Sequence, residues 1–241
     1  MYHQNTCKHI FTNINFELIF YLLLFAQNFK LIRKTLYEKI LLSIALAAIC
    51  AFAASAPKTH DGFFLNATMG AGYSSFEDKI EGGLGKMTCD GGAFEASFKL
   101  GGTVAQDLIL HATFSGDVLY SDLKLKSGYV DEKLAHDGFN MLMLGAGLTY
   151  YLPIQENVYV SASFGVTDIS ITLNNNDYNF DNLDAGFGFN ISVGKEWWMN
   201  DELGLGIAFS YTHHSADGDY RGEKNEASSN SFALVASLTF N

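Results

Sequence analysis

Proline is almost missing from this chain, with two residues in 241 against 23 glycines. That scarcity excludes polyproline and loop-rich architectures and favours long, unbroken strands. Cysteine is nearly as scarce: of three, Cys7 and Cys50 fall within the first 56 residues and only Cys89 lies beyond. A lone cysteine makes no internal disulfide, and no Cys/His spacing resembles a zinc site. Downstream of residue 56 no apolar run reaches the ~20 residues a membrane helix needs, and mean hydropathy is only +0.08. Basic charge is short as well, with 15 Lys and Arg against 26 Asp and Glu for a net charge of −11. Such an acidic balance disfavours nucleic acid as a partner. Nothing in this inventory asks for a cofactor or a bound metal.

The first 56 residues read as material for targeting. Residues 36–56 (LYEKILLSIALAAICAFAASA) form a signal peptide. Lys39 is its positive start, residues 40–52 its apolar centre, and 51–53 and 54–56 two small-x-small sites. Pro57 disfavours the second site, so cleavage after Ala53 is expected within the window 53–56. Ile49 before Cys50 is too bulky for a lipoprotein signal. Upstream, residues 16–29 (FELIFYLLLFAQNF) are apolar but too short for a comfortable transmembrane helix. The reading places the true start near Leu36 and residues 1–35 as a mis-assigned extension. Residues 57–241 are then the mature domain. The leader holds five bases (Lys8, Lys30, Arg33, Lys34, Lys39) and two acids (Glu17, Glu38), so its loss leaves a more acidic protein.

In the mature part, segments 62–76, 93–103, 108–121, 139–152, 157–173, 183–199, 204–215 and 229–240 alternate apolar residues with small or polar ones. A period of two marks a strand with two unlike faces, and each segment meets the ~9–11 residues that cross a bilayer at a tilt. One face carries Phe94, Ala96, Phe98 and Leu100, then Phe187, Phe189, Ile191 and Val193, then Phe232, Leu234, Ala236, Leu238 and Phe240. The other carries Glu95, Ser97, Lys99 and Gly101, then His111, Thr113, Ser115 and Asp117. This second face is poor in Lys and Glu, a bad solvated surface but a good filling for a narrow barrel. The apolar face is therefore expected to meet lipid. In lipid an open sheet edge would leave backbone groups unsatisfied, so the sheet must close.

Connection lengths argue independently for the same arrangement. Residues 77–92, 122–138, 174–182 and 216–228 are long joints, while 104–107, 153–156 and 200–203 are short. Strict alternation of this kind marks transmembrane barrels, with short periplasmic turns and long extracellular loops. Tyr150–Tyr151 and Trp197–Trp198 flank short turns and are expected to form the periplasmic aromatic girdle. The fold class expected is all-β: an eight-stranded antiparallel up-and-down transmembrane β-barrel behind a cleaved signal peptide.

Eight strands, a leader and a last strand of alternating apolar residues ending at Phe240 resemble the small outer-membrane β-barrel superfamily typified by OmpA and OmpX. The likeness covers roughly residues 60–241. Its most specific piece, Phe232 to Phe240, looks like the signal by which the barrel-assembly machinery recognises its clients. Asn241 departs from it, because such chains usually end on the aromatic residue. The stretch Gly194 to Trp198 followed by a turn also looks like this family. The resemblance implies a bacterial outer-membrane location and contact with membrane lipid and lipopolysaccharide; the oligomeric state stays open, with a monomer favoured.

Some barrels of this size modify lipids, and Tyr211-Thr212-His213-His214-Ser215 is where such chemistry would sit. His213 and Ser215 share one strand face, and lipid A deacylases use a similar pair with a downstream Glu, here Glu223 or Glu226. A His-activated Ser would attack an acyl ester. Ala216 stands where that family has Asn. His111, with Asp117 six residues on, reads as a hydrogen-bonded interior histidine, and Glu95 and Lys99 as an interior pair. The reading favoured is non-enzymatic, with no catalytic, cofactor or metal residue: a structural or surface-interaction role through the long loops. A narrow channel for small or apolar solutes and a lipid A deacylase using His213 and Ser215 are the alternatives.

Overall fold

The computed structural model describes residues 58–80, 85–127, 130–134, 138–153, 156–173, 176–179, 183–220 and 223–241. The signal peptide expected at 36–56, its expected cleavage site and the extension expected at 1–35 lie outside the described residues. Eleven strands follow in order: β1 (Phe63–Ile80), β2 (Gly85–Ala105), β3 (Leu108–Tyr120), β4 (Leu123–Ser127), β5 (Val130–Leu134), β6 (Gly138–Tyr151), β7 (Val158–Leu173), β8 (Asn176–Asn179), β9 (Gly186–Trp198), β10 (Leu203–Tyr220) and β11 (Glu223–Phe240). Eight of them form the wall, in the order β1-β2-β3-β6-β7-β9-β10-β11. Antiparallel pairing of β11 with β1, from Leu65 opposite Phe240 to Ile80 opposite Asn225, closes the ring. A closed ring leaves no sheet edge inside the bilayer.

The direction of the two faces is as the sequence implies. Leu234 is 65% exposed and Phe164 61%, while Thr113, Ser161, Thr212 and Thr239 are buried in the interior. On β11 the outward apolar residues run from Phe232 to Phe240. At about 3.3 Å per residue and a tilt near 40° they make a belt about 20 Å tall. Tyr73 and Tyr120 mark its outer edge, and Tyr150 and Trp197 its inner edge. The expected girdle is half right. Neighbours along a strand point to opposite faces, so Tyr150 and Trp197 face outward while Tyr151 is buried inside and Trp198 packs against His60.

Glycine lets the strands of the wall approach closely in one row. Gly145 and Gly165 are register partners, and a Cβ on either would fall on the backbone of the other's strand. Gly188 continues the row; a Cβ there would meet His214 Nδ1 and Met143 Sδ at 3.1 Å each. This row leaves the space that His214 fills.

The long joints are not all irregular. β1 and β2 stay paired from Phe63 opposite Gly102 to Ile80 opposite Gly85, and β10 and β11 stay paired to Tyr220 opposite Glu223. Joints 77–92 and 216–228 are therefore mostly strand, rising well above the apolar belt. Joint 122–138 holds the β4–β5 hairpin, which extends the sheet from β2. Joint 174–182 holds β8, paired to β7. Short turns close the other end. Asp107 takes a left-handed φ of 57°, and the Asn200 side chain accepts hydrogen bonds from the backbone N–H groups of Glu202 and Leu203.

Candidate functional site

The lumen is filled in three layers. At the outer end Phe76, Cys89, Leu119, Phe139, Met141 and Ile169 pack into an apolar cluster. At the inner end Phe64, Ile109, Tyr151, Tyr159 and Val235 form a second one. Ser, Thr, Asn and a few ionisable groups fill the space between. Small residues dominate this middle layer because an eight-stranded wall leaves room for little more.

The middle layer is tied by hydrogen bonds across the barrel. On β10, His214 sets Nε2 3.1 Å from Asp117 Oδ2 on β3. Its Nδ1 lies 2.6 Å from Thr167 Oγ1 on β7, and Thr167 also donates to the Leu142 carbonyl at 2.8 Å. Thr212 donates to Glu95 at 3.3 Å and accepts from Asn190 at 2.7 Å. Lower down, Lys99 donates to Ser161 at 2.8 Å. His111 spans Thr113 at 2.9 Å and Thr149 at 3.0 Å. Lowest is Glu196, which accepts from Tyr151 Oη at 2.9 Å and Ser237 Oγ at 3.4 Å.

Asp117, His214 and Thr167 make an acid–base–hydroxyl line of the kind hydrolases use. Here it has no access. His214 is 0% exposed and lies beneath the outer apolar cluster. The line acts as a brace between strands far apart in the chain. Sequence reading missed it because it tied Asp117 to His111; the alternation of β10 was the available signal, since it turns His214 inward and His213 outward.

The residues singled out for lipid chemistry are not assembled. His213 and Ser215 do share the outward face. His213 Nδ1 sits 3.0 Å from Asn230 Oδ1, an oxygen that also accepts from Tyr211 Oη at 2.8 Å. Ser215 donates to the Phe187 carbonyl at 3.5 Å. Glu226 lies four residues beyond Asn230 on β11, opposite Asp217, about 13 Å along the strand. Glu223 lies farther out, opposite Tyr220. His111 is the hydrogen-bonded interior residue expected. Glu95 and Lys99 are both interior, but no ion pair joins them among the described residues. Four residues along one strand separate their backbones by about 13 Å, so each takes a partner from another strand.

Charge gathers on the outer extension instead. Glu77 pairs with Lys79 and Lys86, and both ammonium groups hold its carboxyl below the usual carboxylate range. Lys124 pairs with Asp90 at 3.1 Å and depresses its pKa in the same way, while Tyr73 Oη donates to Asp90 at 3.3 Å. Among the described residues no group of three or more His, Cys, Asp or Glu side chains converges as metal ligands would.

No curated protein sequence matches the chain. Among solved structures it is similar to Neisserial surface protein A, with a TM-score of 0.44 and 17% identity over 78% of this chain and 99% of that one. OprG from Pseudomonas aeruginosa gives 0.45 and 15% over 77% and 99%. The outer membrane protease OmpT from Escherichia coli gives 0.41 and 10% over 79% and 99%. The family described as outer membrane protein beta-barrel domain matches residues 43–240, which contain the whole closed wall and its apolar belt; the chain belongs to that family and is a protein of the bacterial outer membrane.

Proposed function

We propose that this barrel is a non-catalytic, non-conducting platform that holds its outer hairpins at the cell surface for interaction. One observation carries the reading: the lumen is closed by buried apolar clusters at both ends. A solute path needs a continuous polar or open lumen, and a lumenal active site needs a mouth. Neither is compatible with that filling. What is left for contact is the extension of β1, β2, β10 and β11 with the β4–β5 hairpin. In this reading lipid and lipopolysaccharide surround the belt of a monomer. The assembly machinery recognises the last strand, Phe232 to Phe240.

Two measurements on one preparation test it. In planar bilayers the protein gives no single-channel steps. On intact cells a membrane-impermeant amine reagent labels Lys79, Lys86 and Lys124 and spares Lys99. Conductance steps would return the channel reading, and unlabelled hairpin lysines would remove the surface role. Loss of acyl chains from lipopolysaccharide that disappears in Ser215→Ala would return the deacylase.

A further inference from the structure

Residues 58–62 precede β1, yet they are woven into the short-turn end of the barrel. The backbone N–H of Lys58 donates to the Asp201 carbonyl at 2.8 Å, on the β9–β10 turn. On the way to β1, the His60 carbonyl accepts from Thr103 Oγ1 at 2.6 Å, and the Gly62 carbonyl accepts from the Thr103 N–H at 2.9 Å. The segment thus ties the β9–β10 turn to the end of β2. His60 is its most buried residue, 8% exposed. Its ring lies flat on Tyr151, with centroids 3.4 Å apart and planes 7° apart, and Trp198 stacks at 5.1 Å.

Both imidazole nitrogens are used, and in opposite senses. Nε2–H donates to Asn157 Oδ1 at 3.1 Å. Nδ1 accepts from the Asn241 side-chain amide at 3.0 Å. Asn241 is itself buried and anchored, its backbone N–H donating to the Glu202 carbonyl at 3.0 Å. Only a neutral imidazole can donate at one nitrogen and accept at the other. The residue after Phe240 that breaks the usual ending of the last strand is therefore half of a latch. It joins the segment before β1 to the segment after β11, beside the seam that closes the ring.

We propose that residues 58–62 are a proton-releasable strap over the inner mouth of the barrel, with His60 as its bolt and Asn241 as its catch. A second proton on the ring turns the acceptor Nδ1 into a donor facing the Asn241 amide. The catch is lost and the strap loosens, while the outer apolar cluster keeps the lumen shut. Burial holds the imidazole below its ordinary pKa of 6.5, against the Asn157 hydrogen bond and the carboxylates of Asp107 and Asp61. For a histidine depressed by folding, the latch stands at full strength above that value and weakens as pH falls through it. The other titratable or charged groups around the bolt are Tyr151 beneath the ring, Glu196 behind the Tyr151 hydroxyl, and Lys58, Asp201 and Glu202 along the strap and the β9–β10 turn. The strap does not depend on the surface role of the hairpins.

Hydrogen exchange on the full protein extracted from outer membranes tests this. Exchange rates are corrected for the intrinsic chemical effect of pH and compared at about pH 8 and about pH 5. The wild-type amides of Lys58 and Asn241 are expected to exchange about tenfold faster at the lower pH. His60→Gln, which cannot titrate, stays flat between the two, and Asn241→Ala is fast at both. A flat wild type overturns the proposal, as does the same rise in His60→Gln, which would assign the effect to Asp61, Asp107 or Glu196. Should His60→Gln fail the heat-shift test for a closed barrel, NMR titration of the wild-type His60 ring replaces it. A ring midpoint that is not lower than the pH at which the exchange rise begins overturns the strap equally.

Discussion

The two ends of the lumen are sealed by different physics. At the outer end Phe76, Phe139, Met141 and Leu119 fill the bore by shape alone, with rings of Phe76 and Phe139 4.1 Å apart. At the inner end Phe64 and Ile109 also pack by shape, but the rings beside them carry polar handles: Tyr151 donates to Glu196, and His60, lying on Tyr151, is held by Asn157 and Asn241. A seal of shape is insensitive to pH and costly to hollow out. A seal of hydrogen bonds has direction, depends on protonation, and loses less when one bond goes. Between them lies the His214 brace, where burial makes every unmade bond expensive.

Four substitutions sharpen that contrast, read as urea unfolding midpoints of the protein in lipid vesicles. Phe139→Ala hollows the outer seal and is expected to cost most, about 3–5 kcal/mol, with no dependence on pH. Asp117→Ala removes one end of the brace and leaves the His214 Nε2 buried without its partner, for about 2–3 kcal/mol. Tyr151→Phe keeps the packing of the inner seal and deletes one donor to Glu196, so its cost is about 1–2 kcal/mol. A cost for Tyr151→Phe equal to that for Phe139→Ala would erase the distinction between the two seals. Lys124→Ala is expected to leave the midpoint unchanged, because exposed ion pairs contribute little. Lys124 depresses the pKa of Asp90, so the pair's contribution is present above the usual carboxylate range and is lost as pH falls through it. Solvent screening keeps that dependence too shallow to separate variant from wild type in a pH series.

Most of the wall is legible in the sequence. The strand segments were readable because lipid and lumen impose opposite demands on alternate residues, and Phe232 to Phe240 states both demands in nine positions. The short turns were placed within a residue or two. The long joints read as loops in sequence yet are largely strand, because strand extensions above the membrane have water on the outside, so residues such as Glu77, Lys79, Glu226 and Lys224 break the apolar alternation while the backbone stays paired. The aromatic girdle was misassigned at Tyr151 and Trp198 by counting residues near a turn without applying the two-residue period to them.

The candidate site was less legible for a related reason. Periodicity says which face a residue is on; it does not say what it meets across the bore. His111 and Asp117 are near in sequence, yet His111 bonds to Thr113 and Thr149 while Asp117 meets His214, 97 positions away. Likewise Asn241 is an irregular ending by the pattern of the last strand alone, and its partner is His60, 181 positions away.

By itself the sequence determined the class of solvent on each face, the number of membrane crossings and the alternation of short and long connections, because these follow from local period and composition. Only the tertiary structure decided how the lumen is filled, that both ends are sealed, and which buried polar groups meet. Those outcomes depend on the stagger with which eight strands close into a ring, and stagger is a property of the whole circuit that no single segment carries.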